Sequence, residues 1–130
     1  MVIDSSALIA ILQDEPEGAA LAALLEMAPA PMIAAPTRVE ASIVVLARQG
    51  ESGLSMMNRY LSAAAVETIT FDARQAEIAV DAFRRFGRNR HRAGLNFGDC
   101  FAYALARATN EPLLFKGDNF VHTDVIPATA

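Results

Sequence analysis

Short apolar segments alternate with longer stretches of helical periodicity along the chain, and this alternation is the feature that most restricts its fold. Strands are expected at 1–4, 32–35, 66–71 and 112–115, with a last edge strand at 125–126. Helices are predicted between them, over 5–12, 16–27, 36–50, 52–65, 73–86 and 98–109. Strands separated by helices favour parallel pairing, since a parallel crossover needs an intervening segment of that length. The pattern predicts an α/β fold with a mostly parallel central sheet.

Length and composition predict one ordinary domain over residues 1–130. Hydrophobic residues make up 53% of the chain, which is enough to bury a core. The single cysteine, Cys100, cannot form an internal disulfide or a cysteine-based zinc site, as is typical of a reducing cytosol. No apolar run approaches the roughly 20 residues of a membrane span, and the start, MVID, lacks the basic region of a secretory signal. We therefore expect a cytoplasmic protein that does not enter a membrane.

The charges are unevenly distributed. Eleven cationic and 15 acidic side chains give a net charge of −4, which excludes a generally basic nucleic-acid-binding surface. The segment 84–92 nevertheless contains no acid and five arginines, which we call the basic stripe: Arg84, Arg85, Arg88, Arg90 and Arg92. These residues are either a solvated helix end, favoured by the helix dipole, or a surface that contacts the phosphates of a nucleic acid.

Four acids follow strands or begin helices at positions that the predicted topology brings to one end of the sheet. Asp4 ends the first strand, and Glu40 lies in the first turn of the helix after the second strand. Asp99 opens the helix 98–109, and Asp118 follows the strand 112–115. Each acid alone has an ordinary explanation as a helix cap, a dipole-stabilising residue or a turn residue. Together they would repel one another without a cation, and oxygen ligands favour Mg²⁺ or Mn²⁺ over zinc.

Two other functions remain open from the residues alone. One is phosphotransfer of the receiver or haloacid-phosphatase type, with a strand-end aspartate as nucleophile and with Asp72 and Lys116 as further candidates. The chain lacks the second acid that either type places near Asp4. The other is a non-catalytic interaction module whose acids bind a partner's arginines. Tyr103, four residues after Asp99, is expected on the same helix face and could border the site.

Four segments of the sequence resemble the PIN-domain ribonucleases, and more narrowly the VapC toxins of bacterial toxin–antitoxin pairs. They are VIDSSA at the start, TRVE at 37–40, HRAGLNFGDCFAYALA at 91–106 and PLLFKGDNF at 112–120. They occur in the family's order and spacing from residue 1 to about 125, and LNFGDCFAYALA is the most specific of them. The resemblance implies a three-layer α/β/α sandwich and Mg²⁺- or Mn²⁺-dependent cleavage of RNA phosphodiester bonds through metal-activated water. It also implies a homodimer and a VapB-like antitoxin that blocks the site.

The resemblance also implies roles for individual residues. The family's catalytic, metal-binding acids carry over onto three positions: Asp4, Glu40 and Asp99. For the fourth acid Asp118 is chosen, although many members have an acid where this chain has Asn119, and Asp124 is a further candidate. Ser6 matches the small hydroxyl residue that follows the first aspartate in the family. The basic stripe directly precedes the segment that carries Asp99, so it is expected along the rim of the site, where it would bind RNA.

Overall fold

The computed structural model describes residues 1–129 and contains one four-stranded sheet. Its strands are β1 (Val2–Ile3), β2 (Met32–Ala34), β3 (Glu67–Ile69) and β4 (Leu113–Leu114). Their order across the sheet is β3-β2-β1-β4, and every neighbouring pair is parallel. The expectation of an α/β fold with a mostly parallel sheet is therefore confirmed.

Five α-helices connect and cover these strands. They are α1 (Ser5–Leu12), α2 (Gly18–Met27), α3 (Ala35–Ala63), α4 (Ala73–Phe86) and α5 (Phe97–Thr109), and a 3-10 turn follows at Phe120–His122. The two helices expected at 36–50 and 52–65 are the two halves of α3. Gly50 separates them, because its φ of 68° and ψ of −160° are not helical. Among residues 1–129, no helix is both long enough and apolar enough to cross a lipid bilayer.

The sheet separates two hydrophobic cores, and the short strands supply both. Successive side chains of a strand point to opposite faces, so Val2 joins one core and Ile3 the other. Leu113 and Leu114 divide in the same way. Buried residues of α4 and α5 complete the first core, and buried residues of α1, α2 and α3 complete the second. The arrangement is the three-layer α/β/α sandwich expected from the sequence.

The predicted edge strand at 125–126 is wrong. This segment meets β4 only through an isolated bridge between Leu113 and Pro127. Leu113 N donates to Ile126 O at 2.8 Å, and Ala128 N donates to Leu113 O at 2.9 Å. Pro127 has no N–H with which to extend the pairing. The segment therefore closes the edge of the sheet without becoming a strand.

Candidate active site

An acidic cleft of about 540 Å³ opens beyond the carboxyl ends of β1 and β4. Five carboxylates from separate parts of the chain line it: Asp4, Glu15, Glu40, Asp99 and Asp118. Four of them are the acids that the sequence analysis singled out. They come together because ligand-binding residues of a parallel sheet gather beyond the carboxyl ends of its strands.

Asp4 lies at the buried floor of this cleft, with only 2% of its surface exposed. It is also the N-cap of α1, so the ordinary role of a helix cap does apply to this acid. Asp4 Oδ2 accepts hydrogen bonds from Ser6 N at 3.0 Å and from Ser6 Oγ at 2.6 Å. Asp4 Oδ1 is buried and has no hydrogen-bond partner within the part of the chain that the structure describes. The two oxygens thus differ: Oδ2 caps the helix, whereas Oδ1 has no hydrogen-bond partner among residues 1–129.

The environment of Asp4 disfavours its negative charge. Burial raises the pKa of this carboxyl to about 6, although the two hydrogen bonds from Ser6 oppose the shift. The carboxylates of Asp99 and Glu40 raise this pKa further by repulsion. A cation placed among these acids would reverse the effect, because it would stabilise the ionised form of Asp4.

Ser6 links Asp4 to the segment after β4. Its hydroxyl donates to Asp4 Oδ2 and accepts a hydrogen bond from Lys116 N at 3.0 Å. With both roles of the hydroxyl fixed, Ser6 holds the Asp4 carboxylate in one orientation. The group that the Ser6 hydroxyl contacts is thus the Asp4 side chain itself.

Glu40 reaches the cleft from the second turn of α3. The helix begins at Ala35, with Pro36 in its first turn, so Glu40 is its sixth residue and lies deeper in the helix than predicted. Because the helix dipole acts mainly within the first turn, it does not account for this acid. Glu40 Oε1 accepts a hydrogen bond from Ser5 Oγ at 2.6 Å. Glu40 Oε2 lies against Gly98, where an added Cβ would be only 2.0 Å away.

Asp99 is fixed at the start of α5 by a capping box. Its backbone N–H donates to Asn96 Oδ1 at 2.9 Å, while Asp99 Oδ2 accepts from Asn96 N at 3.0 Å. Asp99 Oδ2 also accepts from Asn119 Nδ2 at 3.1 Å. The two hydrogen bonds that the carboxylate accepts, from Asn96 N and from Asn119 Nδ2, both use Oδ2 and orient the Asp99 side chain.

Of the three candidates for a fourth site residue, two line the cleft and one does not. Asp118 and Asn119 line it, and Asp118 is exposed. Asp124 does not line it, because Tyr103 Oη donates to Asp124 Oδ1 at 2.6 Å and Arg85 Nη2 donates to Asp124 Oδ2 at 3.2 Å. This cluster joins α4 and α5 to the C-terminal segment. The prediction that Tyr103 borders the site is also wrong, since its buried ring and hydroxyl face Asp124.

The basic stripe does not line the cleft, contrary to the expectation that it forms the rim. Arg84 pairs with Asp81 at 2.9 Å and Arg85 with Asp124 at 3.2 Å, so acids from outside the segment neutralise these two arginines. The other three stripe residues are exposed and form no ion pair with any of residues 1–129: Arg88, Arg90 and Arg92. The cations that line the cleft are Arg48 and Lys116.

The residues of the cleft suit a hard divalent cation. Among residues 1–129, five carboxylates line the cleft and no Cys or His does. Within the same residues, the buried Asp4 Oδ1 has no hydrogen-bond partner. Within the same range, however, no group of three His, Cys, Asp or Glu side chains is already arranged to hold a metal ion. Carboxylates without a cation between them repel one another, and hydrogen bonds from Ser5 and Asn119 hold two of them. Few protein ligands are needed, because Mg²⁺ commonly keeps several of its waters.

Several residues at or beside the cleft were not predicted from the sequence. Ser5 lines the cleft and Gly98 lies against Glu40; each is adjacent to a predicted acid, and this adjacency was the only signal for them. Glu15 and Arg48 carried no signal at all, since they reach the cleft from the loop between α1 and α2 and from α3. Asp72, a candidate for phosphotransfer, caps α4 through a 2.8 Å bond from Gln75 N and does not line the cleft.

Comparison with known proteins shows the family. The family model of the PIN domain matches residues 1–126. The chain is 47% identical over 125 residues to ribonuclease VapC of Mycolicibacterium smegmatis, covering 96% of this chain and 97% of the relative. It is 45% identical over 125 residues to ribonuclease VapC30 of Mycobacterium tuberculosis, covering 96% and 95%. Among solved structures, VapC20 of M. tuberculosis, a sarcin-ricin loop cleaving toxin, superimposes with a TM-score of 0.79 at 14% identity, covering 99% of this chain and 98% of that one.

The fold and the acidic cleft define a nuclease domain of the PIN class, and the sequence relatives identify a smaller group within that class. The chain belongs to the PIN-domain family and, within that family, to the VapC ribonucleases. It is therefore an enzyme of the ribonuclease class, and the resemblance to the PIN-domain VapC proteins is confirmed. The phosphotransfer and interaction-module alternatives are not favoured.

Proposed function

We propose that this protein hydrolyses RNA phosphodiester bonds in a reaction that depends on Mg²⁺ or Mn²⁺, as the toxin of a type II toxin–antitoxin pair. The observation that carries the proposal is the buried, unpartnered Oδ1 of Asp4 at the floor of a cleft lined by four further carboxylates. A buried polar atom without a partner is costly, and a metal ion would satisfy it.

The acids would have different roles in metal binding and catalysis. Asp4 and Asp99 would hold the metal, since each has one oxygen, Oδ2, committed to hydrogen bonds and a second oxygen for the cation. When bound, a divalent cation lowers the pKa of water and neutralises phosphate charge. Glu40, oriented by Ser5, would position the attacking water and accept its proton. Asp118, which is exposed, would complete the set at the mouth of the cleft.

Glu40→Gln tests this function together with metal removal. Wild-type protein should cleave labelled single-stranded RNA with Mn²⁺ or Mg²⁺ and stop when EDTA is added. Glu40→Gln should lower the cleavage rate by about 100-fold, a typical contribution of a general base, and weaken Mn²⁺ binding less than Asp4→Asn does. Calorimetry with Mn²⁺ and a gel assay measure the two effects. Wild-type cleavage in EDTA, or a fully active Glu40→Gln variant, would contradict the proposal.

The three unpaired arginines of the basic stripe would contact RNA outside the cleft. Replacing Arg88, Arg90 and Arg92 with Gln should weaken RNA binding and lower the slope of log affinity against log salt by about 0.7 for each phosphate that the protein no longer neutralises. Mn²⁺ affinity should stay constant, because no acid is changed. Arg84→Gln is the matched control, since Asp81 already neutralises Arg84. An unchanged salt slope in the triple variant would show that the stripe is only a solvated surface.

Two partners complete the proposal. The structure of VapBC2 from Rickettsia felis, bound to a DNA fragment from its promoter, superimposes with a TM-score of 0.72 at 16% identity, covering 97% of this chain and 94% of that one. By analogy, we propose that a VapB-like antitoxin binds this toxin in the cytoplasm and that the toxin forms a homodimer.

An apolar groove between α4 and α5 is a candidate surface for these contacts. Phe83 and Phe97 beside it are 40% and 79% exposed, and either the antitoxin or a second toxin subunit would bury them. Light scattering of the toxin alone and with its antitoxin would measure both assemblies.

A further inference from the structure

Lys116 is the only lysine of the chain, and it lines the acidic cleft. It follows β4, and its ammonium group forms an ion pair with Glu15 and lies 3.4 Å from Glu17 Oε2. Both glutamates belong to the connection between α1 and α2. The pair with Glu15 is partly buried, with about a third of each side chain exposed, at 33% and 29%.

Besides the metal ion, an RNA phosphate needs a cationic side chain in this cleft, because five carboxylates line it. The basic stripe does not line the cleft, which leaves Lys116 and Arg48. Arg48 donates to Gln13 Oε1 at 2.8 Å and lies eight residues after Glu40 on α3, about 12 Å further along the helix axis. The backbone of Lys116, by contrast, is linked through Ser6 to Asp4 at the buried floor of the cleft.

The backbone places Lys116 next to the proposed metal-binding acids. Its N–H donates to Ser6 Oγ at 3.0 Å, and Ser6 Oγ donates in turn to Asp4 Oδ2 at 2.6 Å. Lys116 is also two residues before Asp118. A phosphate at Asp4 would therefore lie within reach of a lysine side chain that extends from this position.

We propose that Lys116 binds the RNA phosphate in the cleft, and that Glu15 is an internal counter-ion which the phosphate displaces. This inference rests on the proposed function, since it assumes that RNA enters the acidic cleft. Displacement is feasible because ion pairs that remain in contact with water contribute little stability, and the released Glu15 can be solvated. Glu15 thus competes with RNA for Lys116 and lowers the affinity of the toxin for its substrate.

Lys116→Gln is the first test, and Arg48→Gln is its matched control from the same cleft. Binding of a fluorescent single-stranded RNA is measured by anisotropy in EDTA at low ionic strength, so that the RNA stays intact. Lys116→Gln should weaken binding by about tenfold, the usual effect of losing one hydrogen bond to a charged group. It should also lower the salt slope by about 0.7, whereas Arg48→Gln should change both less. The backbone bond to Ser6 remains, so Mn²⁺ affinity and the melting temperature should stay near wild-type values.

Glu15→Gln tests the competition. Removing the counter-ion should strengthen RNA binding in the wild type, but loss of any negative charge near RNA would do the same through long-range repulsion. The double variant Glu15→Gln/Lys116→Gln separates the two effects, since a general charge effect is additive and a specific one is not. We expect the gain in RNA affinity from Glu15→Gln to be largely lost when Lys116 is also replaced by Gln.

Three results would overturn the inference: no RNA binding by the wild type, unchanged affinity and salt slope in Lys116→Gln, or additive effects in the double variant. The proposed function is tested separately by metal-dependent cleavage. A wild type that cleaves RNA while Lys116→Gln binds normally would reject Lys116 and retain the nuclease. A wild type that binds RNA through Lys116 but never cleaves it would retain the role of Lys116 in RNA binding and reject the nuclease function.

Discussion

Replacing Asp4 with Asn should abolish cleavage and at the same time stabilise the metal-free protein. Activity should fall by about 1,000-fold, because the variant loses a ligand for a cation that supplies several kcal/mol of transition-state stabilisation. Stability should rise because the fold buries this carboxyl completely and raises its pKa to about 6, from 3.8. At pH 7 the penalty for ionising it in the fold is on the order of 2–3 kcal/mol, and Asn avoids it while it keeps the helix cap.

The pH dependence of unfolding checks this reasoning. Between pH 4 and about 6, the folded wild type binds more protons at Asp4 than the unfolded chain does. Its metal-free stability should therefore decrease as the pH rises through this range, and the decrease should be absent from Asp4→Asn. Denaturant titrations at several pH values measure the difference. Asp118→Asn is the matched control, since Asp118 is an exposed acid of the same cleft and has no burial penalty to remove.

Metal should stabilise the wild type but not the Asp4→Asn variant. A concentration of Mn²⁺ about 100 times its dissociation constant should stabilise the wild type by about 2.7 kcal/mol and leave Asp4→Asn unchanged. Asp99→Asn should lose activity to a similar extent, and the double variant should be little worse than either single one, because the two ligands act as a unit. Unchanged Mn²⁺ binding in both single variants would remove Asp4 and Asp99 from the site.

Gly98→Ala should inactivate the enzyme without touching an acid. The new Cβ would lie 2.0 Å from Glu40 Oε2, closer than any real contact, so the Glu40 side chain must move. A displacement of about 1 Å in a catalytic group can cost about 100-fold in rate, and this is the loss expected here. The cleavage rate at saturating RNA is the measurement, with circular dichroism to confirm that the fold persists.

The Glu40→Ala background gives the control for this steric argument. Alanine is a better helix residue than glycine by roughly 0.5–1 kcal/mol, so Gly98→Ala should be stabilising once the glutamate side chain is gone. In the wild-type background, the Glu40 carboxylate must move and its hydrogen bond from Ser5 is disturbed, so Gly98→Ala should stabilise the fold less than it does in Glu40→Ala. An equal gain in both backgrounds would mean that Gly98 does not make room for Glu40.

Local signals in the sequence accounted for most of the fold. The helix α4 illustrates this, because Asp72 caps it, Gly87 ends it and apolar periodicity runs between them, and the structure has these same bounds. The strands were found because short apolar or alternating segments stand out between helices, although the paired parts are shorter than expected. The sequence was also sufficient to group Asp4, Glu40 and Asp99, since each follows a strand or lies near the start of a helix at the same end of a parallel sheet.

The long-range partners of several charged side chains were decided by the tertiary structure alone. Asp124 was a candidate for the site, but Arg85, 39 residues earlier, and Tyr103 bind it elsewhere. Lys116 is paired with Glu15 across 101 residues, and no periodicity in the chain relates the two. Strand and helix signals act over a few neighbouring residues, whereas a charged side chain pairs with whatever group the fold brings near it. The sequence therefore determined the sheet and the edge at which the acids gather, and the packed structure determined which acids, hydroxyls and cations face one another there.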